Sequence, residues 1–390
     1  MLQNKKILLC LSGGIAVYKC VELASSLVKE GAIVKTIMTK AAMEFVTPLT
    51  FKSITKETVS HKLFNPDSQI EHISLSDWAD IIVIVPATAN VIGKIANGIA
   101  DDLLTTTVMA ANCPKLIVPA MNVKMYENPI LQDNLNKLIN YGFNIMEPET
   151  GYLACGYQGK GRMPDVIEII YAIKTYLYYK KDLIGKSVLI TAGASIEKID
   201  PMRYITNVST GKMGIELART AYFRGANVIL VHSALKEKIP YYMTSIEANS
   251  AAMMYETVMN LASKMDLIIM TAAVADYTPK TVYPEKMKKS NDISLDLIRT
   301  ADILNQLGRT KKETQYFIGF AAETENLLTN AKEKLQKKNL NMIVANEIKY
   351  AAQKETEIYI IKRTDLENCK KYKDDKFIIS QKILDEYLND

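Results

Sequence analysis

Apolar runs alternate with amphipathic stretches from one end of the chain to the other. Ile7–Leu11 is a short apolar run, and Ser12-Gly13-Gly14 follows it. Ala16–Lys29 carries apolar residues at helical spacing, with Gly31 placed to stop the helix. Ile33–Met38, Ile81–Val85 and Leu116–Val118 are further apolar runs, and Leu131–Ile139 reads as another helix. Strands that are apolar throughout are those covered by helices on both faces. Strand–helix alternation of this kind predicts a doubly wound parallel sheet.

The pattern restarts near residue 180. Tyr176–Lys181 ends a helix with aromatic and basic residues, and Asp182–Lys186 reads as a connector. Val188–Thr191 is then a strand closing on Ala192-Gly193-Ala194. A helix within Gly211–Gly225, a strand at Val228–Val231, a helix at Ala251–Lys264 and a strand at Leu267–Met270 follow. Phe317–Phe320, Met342–Val344 and Ile358–Ile361 supply more strands, Leu327–Lys338 a Lys-rich helix and Ile383–Leu388 a short terminal one. The expected architecture is two Rossmann-like three-layer α/β domains in series, residues 1–186 and 187–390. In such sheets ligands sit beyond the carboxyl ends of the strands. The residues just after each apolar run are therefore the candidates.

Composition fits this picture. A chain of 390 residues is long enough for two cores. Hydrophobic residues are 48% and charged residues 23%, a globular balance. The net charge of +5 suits anionic substrates, but the interleaved signs predict no nucleic-acid binding. No apolar stretch has bilayer-spanning length, and no signal-peptide cleavage pattern opens the chain, so no membrane association is expected. The five cysteines, Cys10, Cys20, Cys113, Cys155 and Cys369, are odd in number and have no metal-ligand spacing, which predicts a reduced, cytoplasmic setting.

Four places stand out in the first half. Ser12-Gly13-Gly14-Ile15 opens a helix after the first strand, where backbone N–H groups can meet a phosphate. Pro86-Ala87-Thr88-Ala89-Asn90 offers small and hydroxyl residues with room for a flat ring, or simply a helix N-cap. Pro119-Ala120-Met121-Asn122 follows the third buried strand. The Gly-rich stretch from Gly151 to Pro164 surrounds Cys155 and suits a mobile lid. Together with His72, these motifs resemble the homo-oligomeric flavin-containing cysteine decarboxylases, and within them phosphopantothenoylcysteine decarboxylase. Tyr126 stands where that family has Trp.

The resemblance implies a flavodoxin-like domain that binds FMN through Ser12, Gly13, Gly14, Ile15, Thr39, Pro86, Thr88 and Asn90. It further implies His72 as base, Asn122 as holder of the substrate carboxylate and Cys155 as proton donor. A cysteine carboxylate has no electron sink of its own, so FMN would take two electrons from the substrate before carbon dioxide leaves and return them afterwards. Arg162 is a candidate anion clamp.

In the second half, Ser209 or Thr210 can cap the helix that follows, and a phosphate can dock there. The Walker spacing is absent. Ala272-Ala273-Val274-Ala275-Asp276 follows a strand, Lys286-Met287-Lys288-Lys289 is a basic loop, and Lys334 and Lys338 lie one turn apart on one helix face. Asn207–Gly214, Ala272–Asp276, Lys286–Lys289 and Phe320–Thr324 together resemble bacterial, CTP-using phosphopantothenate–cysteine ligase. The stretch Ala194–Asp200 lacks that family's Pro-Thr-Arg.

This second resemblance implies 4'-phosphopantothenate, L-cysteine and CTP as substrates, with an acyl-cytidylate between the two steps. Asn207, Arg203 and Lys286 would be catalytic. Ala272, Asp276, Lys286, Ala301, Asp302, Ile303, Leu304, Phe320, Lys334 and Lys338 would bind CTP. Mg²⁺ would be held mainly by the CTP phosphates, with no protein ligand assigned. The ligase product would be the decarboxylase substrate, two consecutive steps of coenzyme A synthesis. The family resemblance also implies a homo-oligomer, with decarboxylase trimers and ligase dimers assembled up to a dodecamer. Two other readings stay open on the residues alone. One is a nucleotide-dependent dehydrogenase, although neither turn has the full G-x-G-x-x-G with a later acid. The other is a flavin-binding regulatory protein.

Overall fold

Six strands form the sheet of the first unit in a computed structural model of the chain, which describes residues 2–64, 70–153, 156–288, 294–323, 325–347 and 355–390. That unit comprises residues 1–180. Its strands are β1 (Lys6–Leu11), β2 (Ile33–Met38), β3 (Val59–Ser60), β4 (Ile81–Ala87), β5 (Lys115–Pro119) and β6 (Asn144–Ile145). They run parallel in the order β3-β2-β1-β4-β5-β6. Without the two-residue edge strand β3, the order is the 2-1-3-4-5 of flavodoxin-like sheets. Every residue of β4 is buried. Leu8 and Cys10 of β1 and Ile82 and Ile84 of β4 share one core with Ile92, Leu104, Leu135 and Leu138 from three helices. The helices Lys19–Lys29 and Val166–Tyr178 pack together and against the strands to form the other layer.

Two sequence expectations change here. The stretch from Ile15 to Tyr18 is a 3₁₀ turn, and the α-helix begins at Lys19. Gly14, at the start of that turn, has no side chain to cap it. The Gly-rich stretch around Cys155 carries an antiparallel hairpin, β7 (Glu149–Tyr152) and β8 (Gln158–Arg162).

The second unit comprises residues 181–390. Its strands are β9 (Ser187–Ala192), β10 (Ile196–Lys198), β11 (Tyr204–Thr206), β12 (Asn227–His232), β13 (Thr244–Glu247), β14 (Leu267–Met270), β15 (Tyr277–Pro279), β16 (Leu297–Arg299), β17 (Tyr316–Glu323), β18 (Met342–Glu347), β19 (Glu355–Lys362) and β20 (Asp365–Asp375). The main sheet runs β13-β12-β9-β14-β17-β18-β19-β20. It is parallel through β18, with β19 and β20 antiparallel. Two ribbons, β10–β11 and β15–β16, stand apart from it. Ile190 and Ile318 pack with Ile215 and Ile383 on one side, while Leu189, Ile268 and Phe317 pack with Val258, Leu307 and Leu335 on the other. Period-two side-chain alternation thus feeds two helical layers.

The terminal helix is longer than its apolar run suggests, spanning Lys376–Leu388. Asp375 caps it by accepting from Ile378 N at 2.9 Å. Its first turns bury polar residues, including Ser380, whose hydroxyl lies 2.6 Å from Thr220 Oγ1. Polar residues at buried positions hide such a helix from a hydrophobicity pattern. Among the described residues no helix is long and apolar enough to cross a membrane.

Arg224, buried after the helix Lys212–Phe223, ties this unit together. It forks onto Asp182 through Nε at 2.8 Å and Nη2 at 2.7 Å, and reaches Asp385 at 2.8 Å. The connector stretch is therefore fixed to the terminal helix, and Leu183 is fully buried beside it. Replacing Arg224 with Met keeps the stem but strands two partly exposed carboxylates. The expected cost is about 2–3 kcal/mol, below the full cost of breaking a completely buried pair. Chemical denaturation followed by near-ultraviolet circular dichroism measures it, with loss of less than about 0.5 kcal/mol showing the network to be dispensable.

Candidate active sites

The carboxyl ends of the first unit's strands open into a cavity of about 1090 Å³. Gly13, Gly14, Ile15, Thr39, Thr88, Asn90 and Asn122 all line it. A Cβ on Gly13 would collide with the Ala41 side chain, so that glycine is needed for packing, whereas a Cβ on Gly14 would meet only Thr88 Cγ2 at 3.5 Å. Ser12 and Pro86 are buried behind the wall. Ser12 Oγ donates to Pro86 O at 2.6 Å and accepts from Thr88 N at 3.0 Å, which locks the end of β1 to the end of β4. Thr39 Oγ1 accepts from Ala42 N at 3.2 Å and caps a short helix. The helix Ala89–Ala96 starts at Thr88 with no side-chain cap bond, which leaves its N-terminal dipole directed at the cavity.

Asn122 Oδ1 accepts from Lys124 N at 2.9 Å, so the donor end of this amide is Nδ2. The hairpin β7–β8 lies against that loop: Met121 N donates to Gly161 O at 3.0 Å. A Cβ on Gly161 would collide with Met121 O, and one on Gly159 with the Val123 side chain. Gly161 lets one backbone approach another, and Gly159 leaves room for the Val123 side chain. Cys155 lies outside the described residues. Tyr152 and Arg162, on the two hairpin strands, line the cavity.

His72 lies on the helix Glu71–Trp78 and is not among the cavity-lining residues. His61, which no sequence motif singled out, does line it. So does Lys19, four residues beyond Ile15, whose ammonium is held below the usual lysine range by burial and then by Arg162 nearby. Lys94 pairs with Asp101 at 2.7 Å and sits 3.7 Å from Asp102, and the Asp101 hydrogen bond raises its pKa. The net field in the cavity mixes both signs.

In the second unit the loop Ala272–Asp276 is the common element. Ala272 N donates to Thr191 Oγ1 at 3.1 Å, Ala273 N to Gly193 O at 2.8 Å and Ala275 N to Ser195 Oγ at 3.0 Å. Asn207 Nδ2 donates to Ala273 O at 3.2 Å. Thr300 N donates to Asp276 O at 3.0 Å and joins the segment that leads into Ala301 and Asp302. Asp302 caps the helix Ile303–Thr310, so Ile303 and Leu304 form its first turn. Lys338 Nζ reaches Asp302 at 2.9 Å, and Lys334 Nζ donates to Phe320 O at 2.7 Å. Burial holds Lys334 below the usual lysine range, Lys338 pushes the same way, and Asp276 and Asp302 oppose it. The structure thus brings together Asp276, Asp302, Phe320, Lys334 and Lys338.

Capping differs from expectation: Gly211 occupies the N-cap of the helix Lys212–Phe223 at φ 74°, and Thr210 Oγ1 accepts from Lys212 N at 3.3 Å. A side chain at 211 would collide with Leu235, and the left-handed backbone favours glycine as well. Arg203 and Lys286 stand together on neighbouring loops, with Arg203 Nη1 donating to Met287 O at 3.2 Å. Lys289 and Thr324 lie outside the described residues.

Residues 1–177 match the family described as Flavoprotein, and residues 183–389 the family described as DNA/pantothenate metabolism flavoprotein C-terminal domain. The coenzyme A biosynthesis bifunctional protein CoaBC of Bacillus subtilis is 50% identical over 356 residues, which cover 90% of this chain and 87% of that protein. The protein of the same name from Borreliella burgdorferi is 43% identical over 93% of this chain and 94% of its own. A crystal structure of the C-terminal domain of such a protein is 39% identical, covering 53% of this chain and 95% of that one with a TM-score of 0.46.

The docking of the hairpin is open to direct measurement. Gly161→Ala forces β8 away from Met121. Exchange of the Met121 amide proton is expected to speed up at least about tenfold, while amides of β4 keep their protection. Unchanged exchange at Met121 would show that the glycine is not what permits the contact.

Proposed function

This chain belongs to the family of bifunctional coenzyme A biosynthesis proteins, and from that premise we propose how its two units divide the work. The second unit couples L-cysteine to 4'-phosphopantothenate at the expense of CTP. The first decarboxylates the resulting 4'-phosphopantothenoylcysteine to 4'-phosphopantetheine with FMN. One observation carries the reading: residues far apart in sequence, each singled out by motif, gather in each unit at the carboxyl ends of parallel strands. Gly14, Thr39, Thr88, Asn90 and Asn122 share one cavity wall, and Asp276, Asp302, Phe320, Lys334 and Lys338 form one cluster.

The cavity fits a flavin mononucleotide. Its volume is that of a cofactor site, Gly14 leaves backbone accessible, and the uncapped helix start at Thr88 suits an anion. When bound, the flavin supplies a two-electron sink to the substrate and returns the electrons to the decarboxylated product. Asn122 Nδ2 donates to the substrate carboxylate and orients it for loss. Cys155 returns the proton, and Tyr152 and Leu153 help exclude water. His72 acts as base from a neighbouring subunit of the proposed homo-oligomer, whether trimer or dodecamer. Exposed Ile70 and Ile73 beside it offer apolar surface for such a contact.

In the second unit a carboxylate oxygen of 4'-phosphopantothenate attacks the α-phosphorus of CTP and pyrophosphate leaves. The cysteine amine then attacks the acyl-cytidylate carbonyl and CMP leaves. Lys286, Lys334 and Lys338 balance the charge that builds on the phosphoryl oxygens. Mg²⁺ arrives with the CTP phosphates. Asn207, anchored to the Ala272–Asp276 loop, holds the acyl group for the second step. A cytoplasmic setting accords with the free thiols Cys10, Cys20, Cys113 and Cys369.

Incubating the purified chain with 4'-phosphopantothenate, cysteine and CTP should release pyrophosphate and carbon dioxide in equal amounts, from a protein with a flavin spectrum. A regulatory flavoprotein would release neither, and a dehydrogenase would need a nicotinamide nucleotide. Two variants test the roles. Cys155→Ser should still lose carbon dioxide but release an oxidised enethiol, so wild-type yields of 4'-phosphopantetheine would remove Cys155 from the proton step. Asn207→Asp should accumulate acyl-cytidylate, seen by quenched-flow chromatography, with amide formation slowed at least about 100-fold. Equal slowing of pyrophosphate release and amide formation would take Asn207 out of the second step.

A further inference from the structure

One buried carboxylate in the second unit has more partners than its own turn requires. Asp200 lies between β10 and β11 with its side chain fully buried. Its Oδ1 accepts from Met202 N at 2.7 Å and Arg203 N at 2.8 Å, which is enough to close the turn. Its Oδ2 turns the other way. It accepts from Met287 N at 3.2 Å and from Arg203 Nη1 at 2.7 Å. Arg203 Nη1 also donates to Met287 O at 3.2 Å. Tyr283 N adds a fourth tie, donating to Ile199 O at 2.9 Å. Both backbone groups of Met287, the residue directly after Lys286, are thus held by the same ion pair.

We propose that Asp200 is a positioning residue for the ligase reaction: with Arg203 it clamps the loop that carries Lys286. The inference deepens the reading above and rests on it for the role of Lys286. Consecutive Cα atoms are about 3.8 Å apart, so pinning Met287 fixes the root of the Lys286 side chain. Lys286 itself is exposed. With its backbone fixed, only side-chain rotamers remain to be ordered when it meets the phosphoryl group. The arrangement also reassigns Arg203. Its guanidinium is engaged with Asp200 and the Met287 carbonyl, so it serves as part of the clamp. A neutral side chain could cap the turn equally well. The charge is needed for Arg203, and Arg203 for Met287.

The test uses the full chain and the variant Asp200→Asn, which keeps the size and the turn-closing oxygen. Ligation kcat should fall at least about tenfold, while decarboxylation of supplied 4'-phosphopantothenoylcysteine by the same preparation stays within about twofold. In a Lys286→Gln background the same change should cost less than about twofold further, because its effect passes through Lys286. Equal losses in both backgrounds, or wild-type ligation by Asp200→Asn, would overturn the proposal. Hydrogen exchange gives a second readout: the Met287 amide should exchange at least about tenfold faster while β14 stays protected. Loss of protection in β14 too would make Asp200 a general stabiliser and also overturn it. If the wild-type chain makes no amide from 4'-phosphopantothenate, cysteine and CTP, the ligase reading fails, and the exchange measurement still decides whether the clamp exists.

Discussion

A strand covered on both faces satisfies its backbone by bonding sideways to its neighbours, most of which in these two sheets run in the same direction. That constraint arranges both units. It makes β1, β4, β9 and β14 nearly all apolar, because each is walled in by helices. It also places the carboxyl ends of the parallel strands on one edge of the sheet, where backbone bonding stops and loops begin. The candidate sites lie there because that edge offers unbonded backbone next to helix starts. The Ser12–Pro86–Thr88 bonds and the Ala272–Asp276 loop, tied to Thr191, Gly193 and Ser195, are the same solution reached twice. In each, the ends of adjacent parallel strands are stitched together, and the residues just beyond them are the candidate site residues.

The legibility of this chain in its sequence follows the same line. Runs such as Ile81–Val85 declare buried strands because burial on both faces permits nothing else. The residues after them, Gly14, Thr88 and Asn122, were legible as cavity residues for that reason. Elements held by other means were not. The hairpin β7–β8 rests on close approach at Gly159 to the Val123 side chain and at Gly161 to the Met121 backbone, and in sequence glycine there looks like a loop. The strand β20 alternates charged residues and carries little apolar signal. The terminal helix buries Ser380 and Gln381 early, so its apolar face appears only near Ile383. At the sites, His61 lines the cavity and His72 does not, a difference of tertiary placement that no local spacing announces. Asp200 looks like a turn residue because half of its bonds, to Met202 and Arg203 backbone, are those of a turn. Of the other two, one comes from the Arg203 side chain and one from Met287 N, more than eighty residues away.

Both sites of the free protein hold cations beside carboxylates, and burial decides what each pair is for. Lys338–Asp302 has its carboxylate side chain 46% exposed, and a pair of this kind is worth about 0–1 kcal/mol in water. On the ligase function proposed above, several phosphate charges would displace Asp302 from Lys338 at little cost, so Asp302 would hold Lys338 near the site without withholding it. Lys94, paired to exposed Asp101, is in the same position in the first unit. Arg203–Asp200 is of another kind. Asp200 is sealed from water and bonded by three backbone amides as well. Drawing Arg203 away toward a substrate would leave a buried charge without its counter-ion, which is the expensive way to break an ion pair. Two arginine and lysine pairs that look alike in a distance table are therefore opposite in function. On the proposed function, the exposed one would yield to an anion, and the buried one would keep its geometry while the anion is bound. A residue like Lys286 then profits from both, approaching a charge that its neighbours have already neutralised in part from a loop that does not have to be ordered first.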